Sequence, residues 1–128
     1  MERYDPEVAP VAEEWIALDE AERTQLVEEH HREARIPMPK SGRTLHASMH
    51  VVVENQLALN DEPVVRALAR LTKEGLSRHE AIHAIGSLVA EQIYELMNEK
   101  DAPETARARY YAAIERLTAA TWRASSDD

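Results

Sequence analysis

The sequence predicts an all-α fold, a four- to five-helix bundle of mostly antiparallel helices, and three observations predict it. Leucine, valine, isoleucine and alanine recur at helical spacing along most of the chain. Phenylalanine is absent while alanine is abundant, a core composition better suited to closely packed helices than to a sheet. Helix start and stop signals separate the periodic segments.

Each element follows from those signals. Residues 1–11 hold two prolines and are expected as an extended arm. A first helix is expected from Val11 to Arg35, anchored by Trp15, Leu18 and Leu26, with a polar stretch from Asp19 to Gln25 where a break could hide. Pro37, Pro39 and Gly42 mark Ile36–Gly42 as a loop. A second helix runs from Arg43 or Thr44 to Leu59, with Leu45, Met49, Val52, Val53 and Leu57 on its apolar face. Asp61 is the expected N-cap of a third helix, Glu62–Glu74, and Gly75 the stop.

Ser77 and Glu80 stand at capping-box spacing before the fourth helix, whose stripe Ile82, Ile85, Val89, Ile93 and Leu96 continues to Asn98. Gly86 in its middle costs about 1 kcal/mol against alanine, which a close helix approach or room for a site would offset. Asp101 and Glu104 repeat the capping signal for a fifth helix from Ala102 to Trp122, with Tyr111, Ile114 and Leu117 inside. Residues 124–128 are expected to fray. The whole chain, 1–128, is expected to be one helical domain, since 128 residues suffice for one core.

Composition excludes several classes of function. There is no cysteine, so disulfides, thiolate metal ligands and a cysteine nucleophile are ruled out, and a cytoplasmic setting fits. The N-terminus, MERYDPEVAP, is charged and does not resemble a signal peptide. No apolar stretch approaches the length of a membrane span. The net charge is −9, most of it in residues 1–35, which argues against nucleic acid as a partner. Arg107, Arg109, Arg116 and Arg123 on the last helix are expected to be solvated. With three glycines, a phosphate-cradling loop is not expected.

The histidines carry the chemistry. All six lie between positions 30 and 83. His46/His50 and His79/His83 form two pairs four residues apart, and on a helix that spacing places both rings of a pair on one face. If the second and fourth helices pack together, four nitrogen ligands converge between them. Neutral imidazole suits a divalent metal, zinc first, with iron or nickel close behind. Each pair lies at or beside a predicted apolar stripe, and four unpartnered imidazoles in a core would be costly. The bland reading has each ring bonded to a backbone carbonyl or set at the core boundary. Glu28 and His31 form an E-x-x-H pair that adds His31 as a ligand, with Glu28, Glu54 and Glu91 as candidate carboxylates. His30, adjacent to His31, is expected to be exposed.

His79 to His83 also satisfies H-E-x-x-H, in which the glutamate would activate a zinc-bound water. Glu80 is better explained as the capping residue, in a first turn that favours a carboxylate. Trp15, Tyr94, Tyr110, Tyr111 and Trp122 are expected as core or boundary aromatics.

The segment Leu45–Glu91 resembles a family of small uncharacterised bacterial proteins, a domain of unknown function. The resemblance rests on Leu45, His46, Ser48, Met49 and His50, then Gln56, Asp61 and Pro63, then His79, His83 and Glu91, with Glu28 and His31 upstream. It covers roughly residues 24–95 and brings no activity with it. It implies that His31 and Glu91 join the same site. The expected function is therefore a metal-binding helical protein of unassigned process, with a small metal-dependent hydrolase or oxidase as one alternative. A metal-free interaction module with an acidic first helix is another. A homodimer would enlarge the core of so small a chain.

Overall fold

The computed structural model describes residues 1–33, 40–98 and 102–126. Seven helices form among them: α1 (Ala12–Ala17), α2 (Glu20–Glu33), α3 (Lys40–Ala58), α4 (Glu62–Lys73), α5 (Arg78–Met97), α6 (Pro103–Arg116) and α7 (Ala119–Ser126). The all-α class holds. The four- to five-helix bundle is corrected, because the first and last predicted helices each divide in two.

Both divisions use the same devices. After α1, Leu18 turns extended (ψ 150°), and Asp19 starts a new helix through a reciprocal cap. The Glu22 backbone N–H donates to Asp19 Oδ1 at 2.8 Å, and the Asp19 N–H donates to Glu22 Oε1 at 3.3 Å. The carbonyls left at the end of α1 are taken by Arg23, which donates to Trp15, Ile16 and Leu18. After α6, Leu117 is likewise extended (ψ 130°). Thr118 and Thr121 cap each other reciprocally at 3.1 Å, and Arg70 of α4 donates to the Ile114 and Leu117 carbonyls. The first break falls at the start of the polar stretch where one could hide, whereas apolar periodicity continues across the second and does not mark it.

Other boundaries shift for local reasons. Helix α3 starts at Lys40, so Lys40–Gly42 are helical rather than loop; one glycine costs about 1 kcal/mol, too little to end a packed helix. The rest of the expected proline loop and the Asp101 cap lie outside the described residues. Asp61 takes the N-cap position of α4 but makes no side-chain cap. Its Oδ2 instead accepts the Tyr111 hydroxyl at 2.8 Å, tying α4 to α6. Asn60 and Gly75 both have positive φ, 58° and 107°, where the chain reverses around α4.

Two apolar clusters result. The larger joins α3–α7 through Val53, Val64, Leu71, Ile82, Ile85, Val89, Tyr110, Ile114 and Ala119. The smaller joins the N-terminal residues to α1, α2 and α3 through Tyr4, Trp15, Val27, Ala47 and Val51. Helix α3 belongs to both and packs most extensively on α5 and α2. Gly86 sits where α5 crosses α3, opposite Met49. No described helix is long and apolar enough to cross a membrane.

Candidate metal centre

The histidines gather where α2, α3 and α5 meet. Burial of Val27 turns one face of α2 onto α3, and His31, one turn later, lies on that same face, 5% exposed. His50 shares a helix face with the buried Val53 and Glu54, three and four residues on, and is 1% exposed. The Ser77–Glu80 capping box, with both of its hydrogen bonds formed, starts α5 so that His79 and His83 point toward α3. One potential ligand nitrogen from each of His31, His50, His79 and His83 lies within 4.8 Å of the others.

In two of these rings Nδ1 is held by a hydrogen-bond partner. His31 Nδ1 lies 2.8 Å from the Val27 carbonyl, an acceptor only, so Nδ1 carries the proton and Nε2 a lone pair. His50 Nδ1 lies 3.2 Å from the Tyr4 hydroxyl, which donates to Glu54 Oε2 at 2.6 Å. Glu54 is gripped by Arg78 through two bonds of 2.8 Å and therefore only accepts. The Tyr4 oxygen is left to accept from His50 Nδ1–H, again freeing Nε2. His50 Nε2 and His83 Nε2 are 2.9 Å apart. The Nε2 atoms of His31, His46 and His79 are buried without a hydrogen-bond partner.

Burial is also the leading electrostatic influence. It lowers the proton affinity of His50, with His83 and His46 adding to the effect. His83 is pushed down to about 3 by burial and then by His79, His46 and His31. His46 is pushed down to about 4 by burial and then by His31 and His79. His79 and His30 are lowered for the same leading reason, against an opposing pull from Asp5 and Glu7. Burial thus favours His46, His50, His79 and His83 as neutral imidazole, the form that binds metal.

The remaining candidates lie as follows. The His46 ring centroid is 4.6 Å from those of His31 and His83, beside the four-nitrogen group. Glu54 is buried but committed to Arg78 and Tyr4. Glu28 is half-buried on α2, outside the group. Glu91 is exposed and lines a groove with Gln92, Arg109 and Tyr110 between α5 and α6. Glu80 is exposed, and its Oε1 accepts the Ser77 N–H at 3.2 Å in the capping box. The site is not confined to the second and fourth predicted helices, since α2 supplies His31.

Sequence reasoning missed three residues here. His30 is half-buried rather than exposed, with its ring 5.9 Å from that of His79. Tyr4 comes from the N-terminal arm, where no periodicity marks a buried residue. Arg78 precedes His79 directly, and a lone arginine at a helix start carries no signal of an ionic partner 24 residues away.

These features define a class: an all-helical protein whose histidine cluster is capable of holding a metal ion. The family model for a domain of unknown function, DUF1841, matches residues 10–116, and the chain belongs to that family. No curated protein and no solved structure matches it.

Proposed function

We propose that this protein binds one divalent transition-metal ion through His31, His50, His79 and His83, with His46 against the same site. The observation that carries this reading is the orientation of His31 and His50. Each has Nδ1 committed to a hydrogen bond, leaving Nε2 as a lone pair; that of His50 faces His83 and that of His31 is buried without a partner. Metal-binding histidines are held this way, with the second nitrogen donating to a carbonyl or a polar relay. Buried Nε2 atoms on His31 and His79 without a partner would be costly unless something satisfies them. Four nitrogens at zinc's usual bond length of about 2.0–2.1 Å would lie about 3.3 Å apart, a small adjustment for rings already this close.

Zinc is the first candidate for a nitrogen-rich site without sulfur, and iron and nickel are the alternatives. Elemental analysis of untagged protein, purified after separate supplementation with zinc, iron and nickel, tests the reading. About one ion per chain is expected. A small fraction of an ion per chain under all three supplements would overturn it and leave a metal-free interaction module.

A further inference from the structure

The N-terminal arm makes four polar contacts with the elements that carry the histidines. Tyr4 is 4% exposed, and its hydroxyl lies between His50 Nδ1 and Glu54 Oε2. Arg78 Nη1 donates to the Pro6 carbonyl at 2.9 Å, and the His79 backbone N–H donates to Glu7 Oε1 at 2.9 Å. The Tyr4 ring also packs on Trp15, with centroids 5.6 Å apart. Tyr4 is thus held in register with α3 and α5 by its own contacts and by those of Pro6 and Glu7 just after it.

The hydroxyl has one proton and two near neighbours. The carboxylate that Arg78 grips takes that proton. His50 must then supply the proton of the second bond from Nδ1. A neutral imidazole has one N–H, so this choice empties Nε2.

We propose that Tyr4 is a positioning residue of the metal centre. Through the relay Arg78–Glu54–Tyr4–His50 it sets the tautomer and ring orientation of His50, so that Nε2 faces His83 as a lone pair. The relay is neutral overall, because Arg78 offsets Glu54. It therefore directs His50 without adding negative charge to the centre. In the metal-free chain, His83 Nε2–H donates to that lone pair. Were a metal to bind there, it would take the place of that proton, and neutral His83 would carry its proton on Nδ1 instead. The affinity consequence rests on the metal reading above, whereas the tautomer of His50 does not.

The test combines two readouts on metal-stripped protein and its Tyr4→Phe variant. Long-range 1H–15N NMR of histidine-labelled protein reports which ring nitrogen is protonated. Competition with a chromophoric chelator reports zinc affinity. Wild type is expected to show His50 protonated at Nδ1. Tyr4→Phe keeps the ring packing and removes the acceptor, so His50 should shift toward the Nε2–H form and zinc affinity should fall about 10- to 100-fold. Circular dichroism checks that the variant remains helical. A wild-type His50 protonated at Nε2 overturns the proposal, as does a variant that matches wild type in both tautomer and affinity. If the variant fails to fold, the wild-type tautomer decides. If wild type binds no zinc, the metal reading fails and the NMR comparison alone decides the role of Tyr4.

Discussion

His50 and His83 face each other nitrogen to nitrogen, their Nε2 atoms 2.9 Å apart across the packing of α3 on α5. Two lone pairs at that distance repel, so a proton or a cation must lie between them. A bound ion would be part of the fold, since it would tie together helices from both apolar clusters. Zinc at a hundred times its Kd should stabilise the chelator-stripped protein by about 2.7 kcal/mol. The double variant His50→Ala/His83→Ala should lose that gain. Thermal melts with and without zinc measure it, and an equal zinc-induced rise in the variant would contradict the assignment.

The metal-free protein should weaken in mild acid. His46 at about 4 and His83 at about 3 lie below the value near 6.5 of an exposed histidine, and burial also depresses His50 and His79. A depressed histidine binds its proton more readily in the unfolded chain. Its contribution is complete above the unfolded value and is lost as pH falls from about 6.5 toward the folded values of 3–4. Urea midpoints should therefore drop steadily below about pH 6.5, and zinc affinity should fall in the same direction because ligands must be neutral. A flat urea midpoint between neutrality and pH 5 would count against this burial.

Among the described residues, Arg78 is the cation paired with Glu54, whose side chain is 1% exposed. Arg78→Met leaves that carboxylate uncompensated and should cost about 3–5 kcal/mol. Replacing both partners by apolar residues of similar size should recover much of the loss. Chemical denaturation of the single and double variants provides the comparison, and additive losses would show that the pair acts separately.

Gly86 and Gly75 should respond oppositely to alanine. A Cβ on Gly86 would sit 3.6 Å from Met49 Cβ, an ordinary contact, in a helix with normal φ. Gly86→Ala should stabilise the protein by about 0.5–1 kcal/mol. Gly75 has φ +107°, where a side chain is strained, so Gly75→Ala should destabilise by about 1 kcal/mol or more. Paired melting curves check both signs.

The two helix breaks differ in how far the sequence marks them: the polar stretch after Leu18 points to the first, and no such stretch points to the second. Asp19 with Glu22 and Thr118 with Thr121 are spaced as caps, yet the same residues are tolerated within helices. What makes each break persist is an arginine that satisfies the freed carbonyls: Arg23 acts from the next helix, whereas Arg70 acts from a helix over forty residues earlier. The latter partnership has no local signature.

Helical class, the cap at Ser77 and the shared face of each histidine pair followed from the chain alone, because they depend on neighbours within about four residues. Which helices would meet was another matter. Helix α2 joined His31 to the cluster by packing Val27 against α3, and the arm placed Tyr4 between His50 and Glu54 across 46 and 50 residues. Those choices were made by competition among apolar faces for burial, together with the need to partner a buried carboxylate. Neither leaves a period in the sequence.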